Sequence, residues 1–260
     1  MIESLLSFKE VNKRPYVVMI WAFIISSIAV LISSQVAPSI PSVDPGFFVV
    51  LFVIIPSIYF MTALIKKEEA IEEEYIKQHY SKGFWERHEK DIMILLFYFG
   101  GLTLGFAVWS VFLPQGFFES QVAKINQIQG VTGYATIEAS FMQILFNNLQ
   151  VMIFSFLFSF IFGAGAVFII AWNASILGVY IGQLSKYLWH IPVVSLAFLP
   201  HGIPEIAGYL CAGLAGGLLS AAIIRKNTAE TLKIITLDSL KILGLGIFLI
   251  LIGAGIEVLL

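Results

Sequence analysis

Charge is scarce in this chain: Asp, Glu, Lys and Arg make up 12% of its 260 residues, about half of what an ordinary soluble domain carries. Nor does one sign dominate, because the formal net charge is -2; a nucleic-acid partner would need a basic footprint, and none is expected. Cysteine occurs once, as Cys211 in an apolar stretch. An intrachain disulfide and a cysteine-rich metal site are thereby excluded, and the residue reads as a small core side chain. Histidine occurs four times, with no HExxH pattern and no second imidazole four residues from His201. A metal centre lacks ligands at workable spacing, so neither a metal nor another cofactor is expected. The serine–lysine and aspartate pairs that intramembrane hydrolases use are missing too.

What fills the chain instead is apolar sequence, 58% hydrophobic residues at a mean hydropathy of +0.90, which makes lipid its solvent. A crossing helix takes about 20 mostly apolar residues. Bounded runs meet that ruler at 16–34, 47–65, 92–113, 144–171, 203–224 and 240–260. The first is expected to be a retained membrane helix, since no clear small-x-small cleavage site ends it. Run 144–171 exceeds the minimum and implies tilt or a projecting end. IPVVSLAFLP, at 191–200, is too short to cross alone. The expected fold is all-α, a polytopic transmembrane helix bundle with about six to seven membrane segments, including a broken or re-entrant segment near 190–204. Between the second and third runs, 66–91 alternates charges with Tyr75, Ile76, Phe84 and Trp85. That pattern suits either a helical arm on the membrane surface or a solvated cytosolic helix. Residues 115–142 form a mostly polar excursion.

Orientation follows from the basic residues of the short loops, which mark the cytoplasmic side. Lys9, Lys13 and Arg14 precede the first run; Lys66, Lys67, Lys77, Lys82, Arg87 and Lys90 follow the second; Arg225, Lys226 and Lys233 precede the last. Loop 35–46 has no lysine or arginine, and 115–142 has only Lys124. A multi-pass cell-membrane protein with a cytoplasmic N-terminus and an extracytoplasmic C-terminus is expected. An even number of crossings must then lie between the end of the fourth run and Arg225, as two imperfect crossings or a re-entrant pair.

Residues 171–205 hold the most unusual sequence, with Asn173, three prolines, His201 and Glu205 in apolar surroundings. Ionisable groups there are costly and mark a functional site by default, and broken helices are how transporters build substrate sites. A plainer reading stands beside this one. Pro204 suits the first position of a helix and Glu205 the positive end of its dipole, so PHGIPE also reads as a helix start. Gly163, Gly178, Gly182, Gly213 and Gly217 read as faces where helix backbones approach closely, inside one bundle or between copies. Asn147, Asn148 and Asn173 read as interhelical hydrogen-bond partners or as substrate ligands.

These residues carry a resemblance. The run FNNLQVMIFSFLFSFIFGAGAVFIIAWNASILGVYIG and the later LPHGIPEIAGYLCAGLAGGLL resemble the stage II sporulation protein M family. Asn147, Asn148, Asn173, Pro200, His201, Gly202 and Glu205 stand at its motif positions, and Ala174 stands where the family usually has glycine. The resemblance implies a membrane domain over 91–260 preceded by an added hairpin and arm over 1–90. It also implies a multi-helical, non-enzymatic scaffold or membrane-remodelling component. The bacterial namesake recruits cell-wall-degrading partners during engulfment, a role that relatives without sporulation do not share. The expected partners are the lipid bilayer, further copies of the chain, and other membrane or peripheral proteins. Two other classes stay open: a small transporter, channel or lipid-moving protein with Asn173, His201 and Glu205 along its path, and an intramembrane hydrolase using His201 and Glu205 as base and orienting group.

Overall fold

A backbone surrounded by lipid must satisfy its N–H and C=O groups within its own segment, so long apolar runs become helices. The computed structural model describes residues 11, 14–40, 43–78, 84–132, 137–224 and 229–259. Among them the chain forms α1 (Tyr16–Val36), α2 (Pro45–Gln78), α3 (Phe84–Phe112), α4 (Glu119–Thr132), α5 (Ile137–Phe162), α6 (Ala166–Leu184), α7 (Ile191–Ile224) and α8 (Ala229–Leu259), with no strand. Seven of these helices, all but α4, are long and apolar enough to cross a membrane. The protein is a polytopic helical bundle. Of the basic residues that mark orientation, Lys9, Lys13, Lys82, Arg225 and Lys226 lie outside the described residues.

Three sequence expectations change here. The run 144–171 is two helices: α5 ends at Phe162, α6 starts at Ala166, and Gly163 turns the chain with φ +67°. A residue with a Cβ adopts that conformation at a cost that glycine avoids. In a run where every neighbour is apolar, such a turn leaves no polar signal. Second, the break expected near 190–204 does not occur. α7 runs through Pro192, Pro200 and Pro204 as one 34-residue helix, about 51 Å long at 1.5 Å per residue. Pro192 sits in its first turn, where no N–H is needed. Pro200 and Pro204 withdraw donors only from the Leu196 and Pro200 carbonyls, and freeing further backbone groups in lipid would cost more than these two bonds. Third, the charged segment 66–91 is shared between two of the long helices. Its start belongs to α2 and its end to α3, and 79–83 lies outside the described residues.

The helices gather into two compact units. The first comprises residues 1–56, 94–140 and 170–200. Here Gly101 and Gly105 of α3 lie on Met19, Ala22 and Ser26 of α1. Gly178 and Gly182 of α6 lie on Thr103, Phe106, Ala107 and Ser110 of α3. Rising numbers meet rising numbers in both pairs, so α1, α3 and α6 run parallel. The loop before α2 is clasped by Asp44, whose carboxylate accepts from the Gly46, Phe47 and Ser120 N–H groups at 3.1, 3.2 and 3.1 Å. One side chain thus caps α2 and also holds the start of α4, and a cap of this kind contributes about 0.5–2 kcal/mol.

The second unit comprises residues 57–93, 141–169 and 201–260. α5 and α7 run parallel, with Gly216 against Phe156, Ser159 and Phe160 and Tyr209 against Asn148. α8 runs antiparallel to α7, with Gly246 at Gly208 and Cys211, and Gly253 at His201 and Glu205. Ser239 Oγ donates to the Ala215 carbonyl across the same pair at 3.3 Å. Met152, Tyr209, Ala212 and Ile250 make the apolar core where the three helices meet.

Candidate functional site

The continuity of α7 decides how its polar residues are placed. Glu205 stands fourteen residues beyond Ile191, the first residue of the helix. The positive end of a helix dipole acts over the first turn only, so Glu205 is not held there as a helix cap. On an unbroken helix, positions four apart share a face. His201, Glu205 and Tyr209 form one such row, which meets Asn148 of α5 and residues 253–257 of α8.

Tyr209 donates its hydroxyl hydrogen to Asn148 Oδ1. The Glu205 carboxyl hydrogen-bonds with the side chains of Asn148 and Glu257. Three helices therefore bring four polar side chains into one cluster within candidate membrane spans, and three of the four are buried: Asn148 is 5% exposed, Glu205 8% and Tyr209 8%. Glu257 is partly exposed and lies two residues before Leu259, where α8 ends. One oxygen of Glu205, Oε1, is buried and has no hydrogen-bond partner among the described residues.

Gly253 makes the room. A Cβ built there would stand 2.9 Å from the His201 carbonyl oxygen and would run into the Glu205 side chain. Close approach of α8 to the Glu205 row therefore needs a residue without a side chain.

Not all of the sequence candidates meet in this cluster. Asn147 is turned about 100° round α5 from Asn148. Asn173, on α6, and Pro200 belong to the first unit, whereas His201, Gly202 and Glu205 belong to the second. Gly178, Gly182, Gly213 and Gly217 each have an atom of a neighbouring helix 2.5–2.8 Å from where a Cβ would stand, while Gly163 has nothing within 4 Å and makes a turn instead. Tyr209, Gly253 and Glu257 were missed. Tyr209 is the next position on the Glu205 face once the helix is continuous. Glu257 carried a plain signal, the sole charge after Lys241. Among the described residues no group of three or more His, Cys, Asp and Glu side chains is placed to hold a metal ion.

A helical bundle with seven helices long and apolar enough to cross a membrane defines the class: an integral membrane protein. Residues 93–260 match the family described as Stage II sporulation protein M, and the chain belongs to that family. Every residue of the cluster lies inside the matched segment. The chain is also similar to an uncharacterized protein of Methanocaldococcus jannaschii, 30% identical over 147 residues that cover 54% of this chain and 80% of that relative. No solved structure matches the chain.

Proposed function

We propose that this family member is a transport protein that moves an ion or small solute across the bilayer, with the Glu205 cluster as its working centre. One observation carries the reading: a carboxyl group buried in the middle of an unbroken membrane helix, meeting a second carboxyl instead of a cation. Such an arrangement is costly in lipid and has no use in a purely structural bundle. The test is reconstitution of the purified chain into liposomes under an imposed ion gradient. Wild-type protein is expected to dissipate the gradient well above empty liposomes, and folded Glu205→Gln to lose at least about tenfold of that rate, since a hydrogen bond to a charged group contributes about 1.5–3 kcal/mol and about 1.4 kcal/mol is tenfold. Folded wild-type protein without flux overturns the transport reading.

Family membership favours a second reading, a non-enzymatic scaffold that anchors peripheral partners or further copies and shapes the membrane. A scaffold predicts that Glu205→Gln works as well as wild type in the cell. Both readings share one orientation, with Lys90 cytoplasmic, Lys124 outside and the C-terminus outside, because basic residues gather on alternate loops. In a Cys211→Ala background, cysteine at 124 is expected to react with an impermeant reagent from outside and cysteine at 90 only after permeabilisation. The reverse pattern would invert the topology.

A further inference from the structure

Two carboxylates do not hydrogen-bond to each other, because an ionised carboxyl group only accepts; one of the two must bring a proton. Glu205 and Glu257 are in that relation. Of the side chains around them, only His201 can carry a positive charge. From α5 the pair is faced by Asn148, a neutral amide; from α7 by His201 one turn before Glu205 and by Tyr209 one turn after it; from α8 by Glu257 itself. Two adjacent full negative charges in this setting would be far more expensive than one. An independent observation marks the same place: Glu205 Oε1 is buried with no hydrogen-bond partner among the described residues. On a side chain more than nine-tenths enclosed, that oxygen is open to a donor or to a proton of its own.

We infer that the ligand of this centre is a proton: Glu205 and Glu257 hold one between them, and the more exposed Glu257 exchanges it. Glu257 is the more exposed of the two, which makes it the side from which the proton comes and goes. In the loaded state the proton lies in the Glu205–Glu257 hydrogen bond. On release it leaves through Glu257, and the pair is left with two negative charges that the neutral Tyr209 and Asn148 do not balance and that His201 balances only by taking up a proton itself. The unloaded centre must therefore rearrange or take up another cation, which couples proton release to a change in the helices around it.

The inference rests on the reading of Glu205 as a working centre, so its test reads the proton and not the flux. Infrared spectra of the full chain in lipid at neutral pH are expected to contain the carbonyl stretch of a protonated carboxylic acid, shifting to lower frequency in D2O. Wild-type minus Glu205→Gln and wild-type minus Glu257→Gln difference spectra should both show that band, and the double variant should lack it. His201→Gln should retain it. Absence of a protonated-acid band from folded wild-type protein overturns the inference, and so does its loss in His201→Gln, which would place the proton with the imidazole. The wild-type band is decisive even where a variant fails to fold. A band without liposome flux would leave the proton site standing and remove the transport reading; flux without a band would do the reverse.

Discussion

Gly178→Leu is expected to prevent recovery of a folded, monodisperse protein in detergent, whereas Gly244→Leu is expected to yield protein like wild type. At 178 a Cβ would stand 2.5 Å from the Thr103 carbonyl oxygen, 2.6 Å from Phe106 Cβ and 3.1 Å from the Ala107 nitrogen. Two of these three neighbours are backbone atoms of α3, which cannot swing aside as the tip of a flexible side chain can. Overpacking typically costs about 1–3 kcal/mol when side chains take up the strain. Here α6 must retreat from α3 along its length, carrying off the Gly182 contacts and the Ser110–Val179 hydrogen bond of 3.2 Å, so the loss should reach or exceed the top of that range. At 244 nothing lies within 4 Å of the added atom, and leucine is the better helix former by up to about 1 kcal/mol. Size-exclusion profiles and thermal unfolding of the two variants provide the comparison. Equal behaviour would show that the α3–α6 contact does not hold the first unit together.

The second large effect belongs to the polar cluster. Tyr209→Phe keeps the ring in its apolar seat but leaves the buried oxygen of Asn148 without the hydroxyl that donates to it. An orphaned buried acceptor costs about 1–3 kcal/mol. Measured hydrogen bonds between membrane helices are smaller, averaging about 0.6 kcal/mol and reaching about 1.7, because the unfolded chain in lipid finds other partners. With both groups more than nine-tenths buried and Asn148 also bonded to Glu205, the expected loss sits near the upper figure. Asn148→Leu should cost a similar amount. The double variant should lose clearly less than the sum, since one interaction cannot be removed twice; residues in one network couple by about 0.5–3 kcal/mol. Denaturant unfolding of the four proteins in one detergent gives the cycle. Strict additivity would mean that Tyr209 and Asn148 do not act on each other in the folded protein.

The residues that sequence reasoning found and those it missed differ in a physical way. Glu205 announces itself because a charge in apolar sequence is expensive wherever the chain goes. Glu257 is equally charged, but its own run records nothing of the side chain it meets. Only the antiparallel packing of α8 on α7, with Gly253 opposite His201 and Glu205, brings it to Glu205. Prolines misled in the opposite direction. Pro200 and Pro204 predict a break in water, where freed backbone groups find solvent; in lipid the remaining hydrogen bonds of α7 are worth keeping.

Composition and run length determined by themselves that this chain lives in a membrane as helices, because 58% apolar residues at 12% charge admit no other solvent and lipid admits few other backbones. The quoted motif runs also named the family. Where helices end inside an apolar run, and which helices touch, was decided only in three dimensions. A glycine that turns the chain, like Gly163, and a glycine that admits a neighbouring backbone, like Gly178, are the same letter, and the distinction exists only in the backbone angles and the atoms that approach. The acid pair was decided there too, since residues 205 and 257 lie on different helices and no spacing along the chain records that they meet.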